Sequence, residues 1–193
     1  MDIKLIMKKI MWVSGRCGYG KTTFADSIIK KFEGKNQKIC KLEGKDFVSF
    51  LVENIRNKNP IENFVSRFQN YDLLVLDDVD YVLTDKPFTQ REIKRAIQKI
   101  NCNDKTKVIL ITQKRARKLR KLKFDSDECF YKRLKTPTVE IKRNLVEKWL
   151  KTKRLTISEE KISEIINKSN NLFQLKGLFN QISFPAKGGT HHF

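Results

Sequence analysis

Apolar residues in this chain fall into short unbroken runs that alternate with longer stretches in which they recur every three or four positions. Runs of the first kind predict strands at 10–14, 37–42, 72–77, 106–112 and 137–141. The third and fourth are continuous β-branched and leucine runs, the pattern of parallel strands covered on both faces. Stretches of the second kind predict helices at 22–33, 46–57, 60–70 and 87–101; in the last, Ile93, Ala96, Ile97 and Ile100 share one face. After about residue 141 only the helical period remains. Leu145, Val146, Trp149 and Leu150 define one helix, Ile162, Ile165 and Ile166 a second, and Leu172, Leu175, Leu178, Phe179 and Ile182 a third. The expected architecture is an α/β three-layer sandwich with a five-stranded parallel sheet over 1–141, a three-helix lid over 142–184 and a loose tail over 185–193.

Composition narrows the partners. The 193 residues include 41 Lys and Arg against 22 Asp and Glu, a net charge of +19, which favours polyanions, nucleic acid ahead of a membrane surface. The excess is also local: in 114–123 every residue except Ala116, Leu119 and Leu122 is basic. A helix there would bury that three-residue stripe and turn its charges outward. No run approaches the length of a bilayer span, and the first residues lack a signal-peptide core. Cys17, Cys40, Cys102 and Cys129 form no C-x-x-C pair and read as reduced thiols of a cytoplasmic protein. Both histidines, His191 and His192, lie in the tail, which argues against histidine catalysis and histidine metal ligation.

The most specific chemistry lies between the first strand and the first helix. Gly15-Arg16-Cys17-Gly18-Tyr19-Gly20-Lys21-Thr22 is a complete G-x-x-x-x-G-K-[ST] phosphate loop in its required strand–loop–helix setting. Glycines let successive amides converge on a polyphosphate, and the following helix aims its positive end at the same point. The expected nucleotide contacts are Gly15, Gly18, Tyr19, Gly20, Lys21, Thr22 and Thr23, with Lys21 on the β- and γ-phosphates and the Thr22 hydroxyl on Mg²⁺.

The strand Leu73–Leu76 ends in two adjacent carboxylates, Asp77 and Asp78. Ligands of open parallel sheets bind beyond the carboxyl ends of strands, so both acids face the phosphates. Asp77 is expected to hold Mg²⁺ with Thr22, and Asp78 to polarise the attacking water. The next strand ends in Thr112, which is placed to hydrogen-bond that water or the γ-phosphate.

With these elements in place, the chain resembles the central ATPase domain of the bacterial replication initiator DnaA, within the AAA+ superfamily of P-loop NTPases. The likeness extends to Asp46-Phe47-Val48, to Asn59-Pro60-Ile61-Glu62-Asn63-Phe64 and Tyr71 through Asp80, to Thr89-Gln90-Arg91-Glu92, and to the lid motif Asn171-Leu172-Phe173-Gln174-Leu175-Lys176-Gly177. It covers about residues 10 to 183. The resemblance implies ATP or ADP with Mg²⁺ as ligands, Thr112 as the sensor threonine, and Arg133, in Tyr131-Lys132-Arg133-Leu134, as an arginine finger acting on a neighbour's nucleotide. It also implies self-assembly or contact with another AAA+ initiator, and single-stranded or non-specific DNA along 114–123. Phe173 stands where the family has its γ-phosphate-sensing lid arginine. Segments that full initiators carry on either side are not represented here. The leading expectation is therefore a weakly hydrolysing ATP-binding protein of replication initiation or its control. Two alternatives stay open, a regulator of the Hda type without significant hydrolysis and a DnaC-like helicase loader.

Overall fold

The computed structural model describes residues 10–82, 87–102, 105–113, 122, 124–125 and 127–183. Five strands, β1 (Ile10–Ser14), β2 (Ile39–Glu43), β3 (Leu73–Asp77), β4 (Lys107–Thr112) and β5 (Cys129–Arg133), form one parallel sheet in the order β2-β3-β4-β1-β5. Among the described residues seven α-helices accompany them, with a short 3-10 turn at Val79–Val82: α1 (Lys21–Glu33), α2 (Gly44–Arg56), α3 (Ile61–Ser66), α4 (Pro87–Asn101), α5 (Val139–Lys153), α6 (Glu159–Lys168) and α7 (Leu172–Ser183). They belong to two compact units, Met1–Arg16 with Lys21–Leu134, and Cys17–Gly20 with Lys135–Phe193.

In the first unit the two-residue alternation of strand side chains makes two cores. Ile10 and Trp12 of β1, Leu74 and Leu76 of β3, and Val108 and Leu110 of β4 face α2, α3 and α4. Met11, Val13, Leu73, Val75, Ile109 and Ile111 face the other way, onto Ala25 and Ile28 of α1. Every residue of β1 is buried, whereas β2 and β5 at the sheet edges are largely half-exposed. Phe47, Phe64 and Phe68 meet with ring centroids 5.2 to 5.6 Å apart and fasten α2 to α3.

The fifth strand corrects the sequence expectation. Residues 137–141 are not a strand: Thr138 caps α5, its hydroxyl accepting a hydrogen bond from the Ile141 amide at 3.3 Å. Pro137-Thr138-Val139-Glu140-Ile141 alternates like a strand, but the hydroxyl satisfies an orphan amide of the helix start. The strand is Cys129–Arg133, whose short apolar run ends in Lys132 and Arg133 because it lies at the sheet edge, where only one flank is paired.

On that edge Tyr131 stacks on Trp12 at 6.1 Å, and its hydroxyl exchanges hydrogen bonds with the Phe124 amide and carbonyl at 3.2 Å. Burial, reinforced by the nearby Cys129, pushes its pKa from 10.0 up to about 12. The neutral phenol is the form the fold holds, so its stabilising contribution is complete below pH 10.0 and is lost as pH rises to about 12. Absorbance titration should therefore show a phenolate step near pH 12 that Tyr131→Phe removes. Ionisation of every tyrosine by about pH 11 would contradict this.

In the second unit α5, α6 and α7 pack around Val146, Ile162, Ile165, Ile166, Leu175 and Phe179. Glu159 and Glu160 occupy the first turn of α6, where negative charge offsets the helix dipole. At its other end the buried Lys142 ammonium donates to the carbonyls of Ile166 and Ser169, satisfying acceptors that the helix leaves open. Among the described residues no helix is long and apolar enough to cross a membrane.

Candidate functional site

Parallel register brings the carboxyl ends of the central strands level. Ser14, the last residue of β1, is the register partner of Thr112 on β4 and of Arg133 on β5. The Gly15 amide donates to the Thr112 carbonyl at 3.2 Å, so the phosphate loop leaves the sheet beside the end of β4. On the far side of β4, β3 delivers Asp77.

The loop has the backbone its sequence requires. Gly18 and Gly20 lie at φ +75° and +82°, the left-handed region that glycine enters without a Cβ penalty. Within the second unit the loop tip is held closely. The Leu172 amide donates to the Gly18 carbonyl at 2.8 Å, and the Thr136 hydroxyl donates to the Tyr19 hydroxyl oxygen at 3.1 Å. A Cβ on Gly18 would stand 2.8 Å from Asn171 Oδ1, so both conformation and space exclude a side chain there. Asn171 is itself fixed, accepting from the Gln174 amide at 3.0 Å at the start of α7.

Helix α1 opens at Lys21 with no acidic residue in its first turn, so no carboxylate of its own neutralises the positive helix end. Thr22 and Thr23 are exposed there. The Lys21 ammonium donates to the Arg16 carbonyl at 3.1 Å. Its charge also acts on Asp78, in the direction that lowers that residue's pKa.

The acidic side is a constrained turn. Asp77 Oδ1 accepts the Asp78 amide at 2.9 Å, and Asp78, exposed, takes φ +51°. The Asp78 pKa is raised from its ordinary value, first by partial desolvation of its carboxyl, then by the charges of Asp80 and Asp77. Asp80 makes contacts that the sequence reading did not assign: Oδ1 accepts the Thr112 hydroxyl at 2.8 Å and Oδ2 the Gln113 amide at 2.5 Å. Its sequence signal was a third carboxylate two residues beyond Asp78. Thr112 is fully buried, its hydroxyl directed at Asp80.

No group of three or more His, Cys, Asp or Glu that could hold a metal ion occurs among the described residues. One carboxylate and one hydroxyl, Asp77 and Thr22, suit Mg²⁺, which takes few protein ligands and completes its octahedron with phosphate oxygens and water. Arg133 ends β5, exposed, beside the start of its own chain's loop. Phe173 is 69% exposed near the start of α7. The basic run at 114–121 and Lys123 lie outside the described residues, while Leu122 is buried in the core of the first unit.

Known proteins resemble this chain in sequence and in fold. The chain is 24% identical over 177 residues to the chromosomal replication initiator protein DnaA of Helicobacter pylori, covering 89% of this chain and 38% of that protein. It thus spans about two fifths of the length of the curated relatives it matches. Among solved structures it superposes on a replication initiator DnaA bound to AMPPCP and single-stranded DNA, with TM-score 0.74, 20% identity and coverage of 93% and 56% of the two chains. Domain III of Thermotoga maritima DnaA gives TM-score 0.73 at 17% identity, covering 94% and 80%. Both show the fold. The sequence profile of the bacterial DnaA ATPase domain matches residues 8–135, two thirds of the chain, and the protein belongs to that family.

Proposed function

We propose that the chain binds ATP or ADP with Mg²⁺ at Gly15–Thr22 and Asp77, and serves as a nucleotide-dependent switch in chromosomal replication initiation or its control. The observation that carries this reading is the loop itself. Its two glycines lie at positive φ, its helix start has no acidic residue in the first turn, and its strand ends level with β4, whose other neighbour carries Asp77 and Asp78.

In this reading the amides of Gly18, Tyr19, Gly20, Lys21, Thr22 and Thr23 cradle the phosphates. Lys21 neutralises the outer two, and Thr22 and Asp77 hold the metal, which supplies charge neutralisation at the phosphoryl oxygens. Asp78 orients the lytic water. Its raised pKa, to which the charges of the flanking Asp80 and Asp77 contribute, suits a group that must take up a proton. Thr112 acts at the same water through its place at the end of β4. The net charge of +19 and the basic run 114–123 support single-stranded or non-specific DNA as a partner, as bound by the superposed initiator. Exposed Phe173 favours a second reading, a regulator that acts by protein contact with a full-length initiator, because an apolar ring stabilises a protein surface and not a phosphate.

Size measurements in ATP and ADP, on wild type and Arg133→Ala, test the switch. Assembly in ATP alone, lost in the variant while ATP affinity holds, is the expected result and makes Arg133 a finger toward a neighbour. A variant that loses ATP affinity as a dilute monomer places Arg133 at its own chain's site, beside Ser14. Identical profiles in both nucleotides for both proteins would overturn the switch.

A further inference from the structure

We propose that Asp80 is a positioning residue of the nucleotide site, tying the end of β4 to the turn that presents Asp78. The proposal rests on the nucleotide-binding reading above. Its basis is geometric. One carboxylate reaches two different groups at the end of a neighbouring strand, the Thr112 hydroxyl at 2.8 Å and the Gln113 amide at 2.5 Å. Charge-assisted bonds of this kind are roughly twice as strong as neutral ones.

What the bonds hold is a turn that does not hold itself. Asp78 lies at φ +51°, a conformation unfavourable to a non-glycine residue that persists where its surroundings over-determine it. On one side Asp77 Oδ1 takes the Asp78 amide at 2.9 Å. On the other Asp80 fastens the chain to β4. The turn is pinned immediately on either side of Val79, at the Asp78 amide and the Asp80 carboxylate, and Val79 is itself buried among the core residues below. Without Asp80 the backbone at Asp78 is released toward ordinary negative φ, and the Asp78 carboxylate leaves the position in which it orients a water.

The same contact sets the polarity of Thr112. A hydroxyl has one proton, and this one goes to Asp80, so toward any further partner the Thr112 oxygen is an acceptor. It can receive a hydrogen bond from the lytic water; donation to a phosphate oxygen would require breaking the bond to Asp80. Asp80 therefore decides which of the two roles expected of Thr112 is available.

The test combines ATP turnover, ATP affinity and hydrogen exchange of the Gln113 amide in the full chain. Asp80→Ala is expected to lower kcat by about 10- to 100-fold, as a misplacement of the order of an ångström does, with the ATP Kd unchanged within about twofold. Gln113 should exchange about tenfold faster or more, since its acceptor is gone. Asp80→Asn keeps one oxygen that can accept and should fall between wild type and alanine, which also covers the case that Asp80→Ala does not fold. Thr112→Val should slow turnover, and the Asp80→Ala/Thr112→Val pair should be no slower than the slower single variant, the signature of one shared interaction. Unchanged turnover in Asp80→Ala and Asp80→Asn, fully additive losses in the pair, or undiminished Gln113 protection would each overturn the proposal. Wild-type protein that binds no ATP would instead overturn the nucleotide reading, and is told apart because faster Gln113 exchange in Asp80→Ala would still establish the tie between β4 and the turn.

Discussion

Lys21→Ala should weaken ATP binding by about 10- to 100-fold, from the 1.5–3 kcal/mol that a hydrogen bond to a charged group contributes. The residue opens α1, and its ammonium now rests on the Arg16 carbonyl at 3.1 Å. That contact is to a neutral acceptor five residues away, so exchanging it for a polyphosphate gains full charge attraction and gives up little. The ammonium also opposes the charge of Asp78, and the variant would leave that carboxylate to repel an incoming triphosphate without it. The loss should be larger for ATP than for ADP, because the ammonium spans the outer phosphates. Equilibrium titration with a fluorescent ATP analogue measures it. The fold should survive, since the Lys21 side chain is half-exposed and lies outside the core clusters of the described residues, so a wild-type unfolding midpoint must accompany the loss. Equal affinities in wild type and variant would contradict the assignment of Lys21.

Trp12→Ala should lower unfolding stability by about 3–5 kcal/mol, within the range for truncating a buried tryptophan. Trp12 is 1% exposed at the centre of β1, with Phe124 at 6.2 Å and Tyr131 at 6.1 Å, and it faces Leu76, Leu110, Ile93 and Ile97. That region already contains a small apolar void of about 10 Å³, so the packing has little slack with which to close over a missing indole. The indole N–H has no hydrogen-bond partner among the described residues, a cost that truncation would relieve and that places the net loss toward the lower end of the range. Stabilities of single domains are typically about 5–15 kcal/mol, so the variant loses a large share of the total. Urea titration decides it, and a midpoint within error of wild type would show that Trp12 is not the keystone of that face.

Much of this was legible because the determinants are local in sequence. The runs at β1, β3 and β4 are apolar without interruption, since all three strands are covered on both faces and have no water side to mark. The phosphate loop and the Asp77-Asp78 pair are contiguous and carry their chemistry in residue order. The edge strand β5 was misplaced, because five residues with one paired flank carry a weak apolar signal and the Thr138 helix start imitated the alternation of a strand. Contacts of long sequence separation were not legible. Asp80 lies 32 residues from Thr112, and only the pairing of β3 with β4 brings them together. Tyr19 and Thr136 are 117 apart. Neither pair has a spacing rule that a single sequence could reveal.

The central claim is that a nucleoside triphosphate and its metal are held by Gly15–Thr22 and Asp77. A crystal structure of the full chain grown with magnesium and a non-hydrolysable ATP analogue tests it most directly. The account predicts the β- and γ-phosphates against the amides of Gly18 through Thr22, the Lys21 ammonium on the outer phosphates, and the metal between the Thr22 hydroxyl and the Asp77 carboxylate. An analogue bound elsewhere, or a loop that stays empty at saturating concentration, would contradict it.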